Sequence, residues 1–227
     1  MHRRFHIGSI VLAAALTFGG SAIAGGGAAT GEAHMTVLGG HLFGAGDTVR
    51  ATAGAADDAF LAGDRVFAGG GFQQDLFAAG RSVTIAGEVQ RNVFAAGGAV
   101  DIERAIADDA FVAGGTVVVR ETARIAGDAF LAGRTVEVHG TVNGDVWIGG
   151  QAVTITGTVN GNVTVRANTL TLASTARING SLTYTARDGA NLSNAAVVAG
   201  GIRAEAPERR ADMGPRRDRD WASTAGW

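Results

Sequence analysis

A six-residue motif returns nine times along this chain, and its spacing restricts the fold more than any other feature. Asp58-Ala59-Phe60-Leu61-Ala62-Gly63 reappears as Asp75-Leu76-Phe77-Ala78-Ala79-Gly80 and as Asn92-Val93-Phe94-Ala95-Ala96-Gly97. Further copies begin at Asp109, Asp128 and Asp145, an earlier one at His41, and two degenerate ones at Asn162 and Ser181. Successive starts lie 17, 17, 17, 17, 19, 17, 17 and 19 residues apart. A near-constant period of this length is the mark of a stacked repeat, in which each unit is too small to bury its own apolar face and relies on its neighbours.

Two further apolar beats follow the motif in each repeat. One alternates with period 2, as in Val83/Ile85, Val100/Ile102, Val117/Val119, Val136/Val138, Val153/Ile155 and Leu170/Leu172. The other is a single residue before the turn: Val89, Ile106, Ile125, Val142, Val159 and Ile178. Turns are Gly-rich or Asn-Gly, as at Asn143-Gly144, Asn160-Gly161 and Asn179-Gly180. Period-2 alternation rich in Val and Ile predicts strand rather than helix. Three short strands joined by tight turns within 17 residues make one coil of a parallel β-helix. The expected fold is therefore all-β, a parallel β-helix (solenoid) over residues 41–200 with about nine coils of 17–19 residues. The left-handed hexapeptide β-helix needs a six-residue apolar period, and 17 is not a multiple of six. Right-handed winding also follows the general preference of parallel crossovers.

The flanks read differently. Residues 1–24 carry Arg3-Arg4, an apolar run from Ile7 to Phe18, and Ala22-Ile23-Ala24. That is the pattern of a secretory signal peptide, cleaved after Ala24 or kept as an N-terminal anchor. Its apolar run is shorter than the ~20 residues of a comfortable membrane span. Residues 25–40, rich in Gly and Ala, read as a flexible lead-in. Residues 201–227 mix arginines and acids without apolar period and read as a disordered charged tail. Trp221 and Trp227 stand there by chance or as an interfacial anchor.

Composition narrows the function. There is no cysteine, so neither a disulfide scaffold nor a thiolate metal site can form. The net charge of −2 gives no basic stripe for nucleic acid. Beyond the signal segment only His34, His41 and His139 remain, no two in one coil, and no nucleophile motif or phosphate loop is present. Glycan-cleaving β-helices need loop insertions to build a cleft, which coils this short do not provide. The expectation is a protein without catalytic residues, cofactor or metal.

Three ladders are candidates for interaction. Phe43, Phe60, Phe77, Phe94, Phe111, Phe130 and Trp147 hold the third position of successive repeats. If positions two and four point inward, these aromatics face solvent and need a partner; a parity reset at the glycine corner would instead place them inside. Asp58, Asp75, Asn92, Asp109, Asp128, Asp145 and Asn162 hold position one, either as a cation ladder or as turn residues capping their own backbone. Thr84, Thr154, Thr156, Thr169 and Thr171 point outward, but Asp101, Val118 and Glu137 interrupt any regular threonine array of the ice-binding kind.

From Phe43 to about Tyr184 the repeat resembles the bactofilin family of polymer-forming bacterial cytoskeletal proteins. The resemblance lies in Gly144-Asp145-Val146 followed by Val153-Thr154-Ile155-Thr156-Gly157-Thr158-Val159. It implies a right-handed β-helix that polymerises end to end without nucleotide, as a scaffold with no catalytic residues. Bactofilins are usually cytoplasmic, whereas the signal here points to export, to the periplasm or cell envelope. The partner implied is a second copy of the chain, with membrane or cell-wall components as further contacts. Both coil ends read as bare, and the residues expected at the joint are Leu42, Leu182 and Tyr184. A joint of apolar and backbone contacts implies little sensitivity to salt. A rod that binds glycans or surfaces through the aromatic ladder is the alternative reading.

Overall fold

The computed structural model describes residues 33–206. Its core is a stack of long parallel strands: β2 (His41–Ala51), β3 (Ala59–Ala68), β4 (Leu76–Ile85), β5 (Val93–Ile102), β7 (Ala110–Val119), β9 (Ala129–Val138), β11 (Val146–Ile155), β13 (Val163–Leu172) and β15 (Leu182–Leu192). They form one sheet, extended by β1 (His34–Leu38) before β2 and by β17 (Ile202–Ala204) after β15. A second sheet stacks the two-residue strands β6 (Ala105–Ile106), β8 (Arg124–Ile125), β10 (Thr141–Val142), β12 (Thr158–Val159), β14 (Arg177–Ile178) and β16 (Val197–Val198). Bridges through Ala55, Phe72, Val89 and Ile106 carry that second sheet back into the first coils. The described residues thus form an all-β solenoid of nine full turns with a tenth begun by β17. No helix occurs among the described residues.

The register is that of the repeat. Phe60 pairs with Phe77 and Val66 with Val83; Phe77 in turn pairs with Phe94. The first two apolar beats, expected as separate strands, run as one strand of ten residues in most coils. That strand bends at its centre. Pairing continues through the glycine at position six and lapses at position seven, between Gly63/Gly80 and Arg65/Ser82 for example. Burial parity resets at this bend. In β4, Leu76, Ala78, Val83 and Ile85 are buried while Phe77, Ala79 and Thr84 are not. Neighbouring backbones come so close at the corner that a Cβ built on Gly80 would lie 2.5 Å from the Gly63 carbonyl oxygen. No side chain fits there, which explains why position six holds glycine in seven successive copies.

The inward rows make one continuous apolar core from Leu42 to Leu182, and no polar side chain among the described residues is buried. The two 19-residue coils spend their extra residues on a tight turn. The Ala123 amide donates to the Arg120 carbonyl at 2.9 Å, and the Ala176 amide to the Ala173 carbonyl at 3.1 Å. The alanine closing each turn is fully buried, so the insertion leaves the core row intact.

At the N-terminal end β1 folds back antiparallel on β2, pairing His34–Leu38 with Ala45–His41. Gly39 and Gly40, at φ 60° and 92°, make the two-residue turn that a right-twisted hairpin requires. The last part of the stretch expected as a flexible lead-in is therefore a structured cap. Met35 reaches back over Gly44, where a Cβ would come within 2.6 Å of its sulfur. The solenoid also runs slightly past its expected limit at residue 200, since Ile202, Arg203 and Ala204 pair with Leu182, Thr183 and Tyr184. The export signal at 1–24 and most of the charged tail, residues 207–227, lie outside the described residues.

Candidate functional site: the aromatic ladder and the two ends

The residues on either side of each aromatic decide its direction. Ala59 and Leu61 flank Phe60 and are buried, so Phe60 stands on the outer face, and the same holds in each coil down to Trp147. Successive rings are 4.6–5.2 Å apart between centroids and within 10° of parallel, from Phe43/Phe60 to Phe130/Trp147. The spacing is that of stacked strands. The stripe is roughly 30 Å long, about six strand spacings. Its chemistry is limited by the stacking itself. Each interior ring spends both faces on its neighbours and offers only an edge, so the ladder holds itself together as much as it offers a surface. Sugar binding by aromatics uses an open face, and here only the two terminal rings could provide one. Position five beside the stripe is alanine from Ala45 to Ala132, then Gly149, which keeps this face flat.

The Asp/Asn ladder proves to be a row of backbone caps. The Asp75 amide donates to Asp58 Oδ1 at 3.2 Å, the Asp128 amide to Asp109 Oδ1 at 2.7 Å, and the Asp145 amide to Asp128 Oδ1 at 2.8 Å. Asn162 and Ser181 continue the pattern. Each side chain caps the next coil, 17 or 19 residues on, and not its own backbone as a turn residue was expected to do. Asparagines in the ladder also donate sideways, as Asn92 Nδ2 does to Asp75 Oδ1 at 3.0 Å, which eases the repulsion between stacked carboxylates. A second amide ladder runs Asn143, Asn160, Asn179 through bonds of 2.9 and 2.7 Å. Among the described residues no three His, Asp or Glu side chains converge on a cation site. Asp128→Ala should then cost about 1 kcal/mol, the usual worth of a capping hydrogen bond. Thermal melts of Asp128→Ala and Asp128→Asn check this; Asn keeps the acceptor and should melt near the parent, and added Ca²⁺ should move neither.

The outer row of the second face follows Thr84, Asp101, Val118, Glu137, Thr154 in register, so the threonines make no unbroken array. Local pairs occupy it instead. Arg120 Nε donates to Asp101 at 2.7 Å, and His139 bridges Glu137 Oε2 at 2.9 Å and Thr156 Oγ1 at 2.8 Å. Nearer the N-terminus, the Arg50 guanidinium lies 5.5 Å from the centre of the Phe67 ring.

Of the residues expected at an end-to-end joint, Leu42 and Leu182 are buried, at 5% and 0% exposure. Tyr184 is half-buried against the core and paired with Ala204. β1 covers Leu42 and β17 covers Leu182, so each end lies one strand further out than the repeat indicates. Among the described residues the exposed large apolar ones are Val37 (66%), Leu38 (72%), Val197 (46%) and Ile202 (51%), with Phe43 (39%) at the head of the ladder. A Gly-Gly pair between Val37-Leu38 and His41-Leu42 was the sequence signal for the N-terminal hairpin. Neither cap is complete. β1 leaves the second half of β2 without an outer partner, and β17 covers only Leu182–Tyr184 of β15.

Comparison with protein-family models, with curated proteins and with solved structures finds no match to this chain.

Proposed function

We propose that this protein is a non-enzymatic structural element that assembles through its ends into filaments or a lattice at the bacterial cell envelope. The observation that carries the reading is where its exposed apolar side chains sit. Four of the five large ones among the described residues, Val37, Leu38, Val197 and Ile202, are on the terminal strands, and the fifth, Phe43, is in the first coil. A scatter of single apolar residues over the rod would need no explanation; their concentration at the ends does. The same strands present unpaired backbone donors and acceptors, and an open edge templates another chain. The resemblance of the repeat to bactofilins supports the same reading, and the signal-like N-terminus supports export. Rings packed face to face, with only their edges exposed, give the glycan-binding alternative little to work with.

Sedimentation of residues 25–227 tests the proposal. Species should grow with concentration, and Val37→Asp with Ile202→Asp should leave a monomer with an unchanged melting temperature. Both positions are more than half exposed, so the substitutions should not disturb the core. A single monomer up to high micromolar concentration would overturn the reading.

A further inference from the structure

We infer that a groove on the second face of the first three coils binds an acidic saccharide. The groove is separate from the aromatic ladder, and the inference does not depend on end-to-end assembly. Its starting point is a break in the repeat. At position eight Thr48, Arg65 and Ser82 stand in register, and every later member down to Thr169 is alanine or threonine. At position ten Arg50, Phe67 and Thr84 stand in register, and no later member is an arginine or an aromatic. The coils that follow build the same rows without Arg50, Arg65 or Phe67, so packing does not require them. A departure that the fold does not need is where a binding function is sought.

These three side chains line one groove of about 440 Å³. Its size falls in the range of small-molecule sites, roughly 300–1,000 Å³. Val66 is buried beneath it, and the hydroxyls of Thr48, Ser82 and Thr84 complete the lining. So polar a lining does not suit an apolar ligand. Neither arginine has a carboxylate partner among the described residues. The acids beside them along the chain and the rows are engaged elsewhere. Asp64, next to Arg65, accepts from Arg81 Nε at 2.9 Å. Asp101, which follows Thr84 in its row, accepts from Arg120 Nε at 2.7 Å. Asp47, next to Thr48, is exposed and does not line the groove.

The lining selects the ligand. Guanidinium groups are forked donors matched to the oxygens of a carboxylate or phosphate. Hydroxyls both donate and accept, as sugar hydroxyls do. Phe67 adds an apolar wall. Its neighbours in the row are Arg50 and Thr84, so it is not sandwiched between rings as the ladder aromatics are. A Cβ on Gly69 would overlap Phe67 Cε1, so the glycine leaves the ring its place. An oxyanion, several hydroxyls and a patch of C–H surface are together the groups of an acidic sugar. A nucleic-acid strand fits less well. It carries a phosphate at every nucleotide and needs a track of cations, whereas the row through Thr84 runs on to Asp101 and Glu137.

Binding to the purified protein, read by saturation-transfer NMR and isothermal titration, tests the inference. The probes are trigalacturonate, glucose 6-phosphate, neutral maltotriose and inorganic phosphate. At least one of the two acidic sugars should bind about ten-fold or more tighter than maltotriose and inorganic phosphate, and the preferred one identifies the oxyanion as carboxylate or phosphate. Arg50→Gln and Arg65→Gln should each weaken that binding about ten-fold or more. Both residues are exposed, so the melting temperature should hardly move. Arg81→Gln and Arg120→Gln remove the same charge from arginines already paired and should change the affinity less than about two-fold. Equal losses in all four variants would mean that charge alone is sensed and would overturn the inference. So would inorganic phosphate binding as tightly as either acidic sugar, a single-stranded oligonucleotide binding more tightly than both, or no binding of either. None of these outcomes bears on end-to-end assembly, which sedimentation reads independently.

Discussion

Ile155→Asp should lower the melting temperature by on the order of 10 °C or more, or leave no folded protein at all. Ile155 is fully buried in β11, its row continued by Val138 on one side and Leu172 on the other. No polar side chain is buried anywhere nearby to receive a carboxylate. An unpaired buried charge costs about 3–5 kcal/mol by mutational precedent, and a domain of this size loses about 2–4 °C for each kcal/mol. The architecture adds to the effect. A solenoid coil touches only its neighbours, so a broken coil in the middle uncouples the two halves of the stack. Circular dichroism melts should show a lower transition or a split one. Thr154→Asp, one residue away on the outer row beside Glu137, is the control and should cost less than about 1 kcal/mol. Equal losses in the two variants would mean that the assigned parity is inverted.

That parity shows what a sequence of this kind does and does not reveal. Registers of 17 and 19 residues could be counted directly, because every copy of the six-residue motif aligns with the next. Pairings such as Phe60 with Phe77 follow from the count. The direction of the aromatics did not follow. In the first seven copies positions two to five are apolar or glycine, so no hydrophobic contrast marks the inner row there, and the glycine corner breaks the period-2 rule just where it would be needed; only the eighth copy, Val163-Thr164-Val165-Arg166, alternates, with Thr164 in register with Trp147. Burial decides it through Ala59 and Leu61.

The ends differ from the sequence expectation for two different reasons. At the N-terminus Gly39-Gly40 is a hairpin turn, but it follows a run of Gly and Ala in which one more glycine pair carries little contrast. At the C-terminus the repeat decays before the fold does. β15 has an irregular pairing between Ala167 and Thr169 of its neighbour, which shifts its second half. The tenth turn has no six-residue motif at all, only Ile202–Ala204 in register with Leu182–Tyr184. The aromatic stripe, by contrast, could be located from sequence in every residue; what could not be seen was that stacking leaves the rings only edges to offer.

Phe72 was outside the rows found by sequence, and it provides the other large expected effect. The third apolar beat is Val, Ile or Ala elsewhere, and Phe72 sits behind Gly69-Gly70-Gly71, a run that reads as loop. It is nonetheless fully buried, the bulkiest such side chain in the fold, bridged to Ala55 before it and Val89 after it. The reason lies in its own coil. Position two is Ala59 and position eleven is Ala68, where the next coil has Leu76 and Ile85. Phe72 and Leu61, standing where the next coil has Val89 and Ala78, together offset the smaller Ala59 and Ala68. Phe72→Ala should therefore open a cavity with only alanines around part of its wall and cost about 3–5 kcal/mol. The melting temperature should drop by on the order of 10 °C. Because the deficit is one of volume, Ala68→Ile added to Phe72→Val should recover part of the loss, while Ala68→Ile alone should destabilise by overpacking against the ring. This reversal of sign is the informative outcome. If Ala68→Ile harms both backgrounds equally, the two positions do not share a space, and the volume exchange within the coil is wrong.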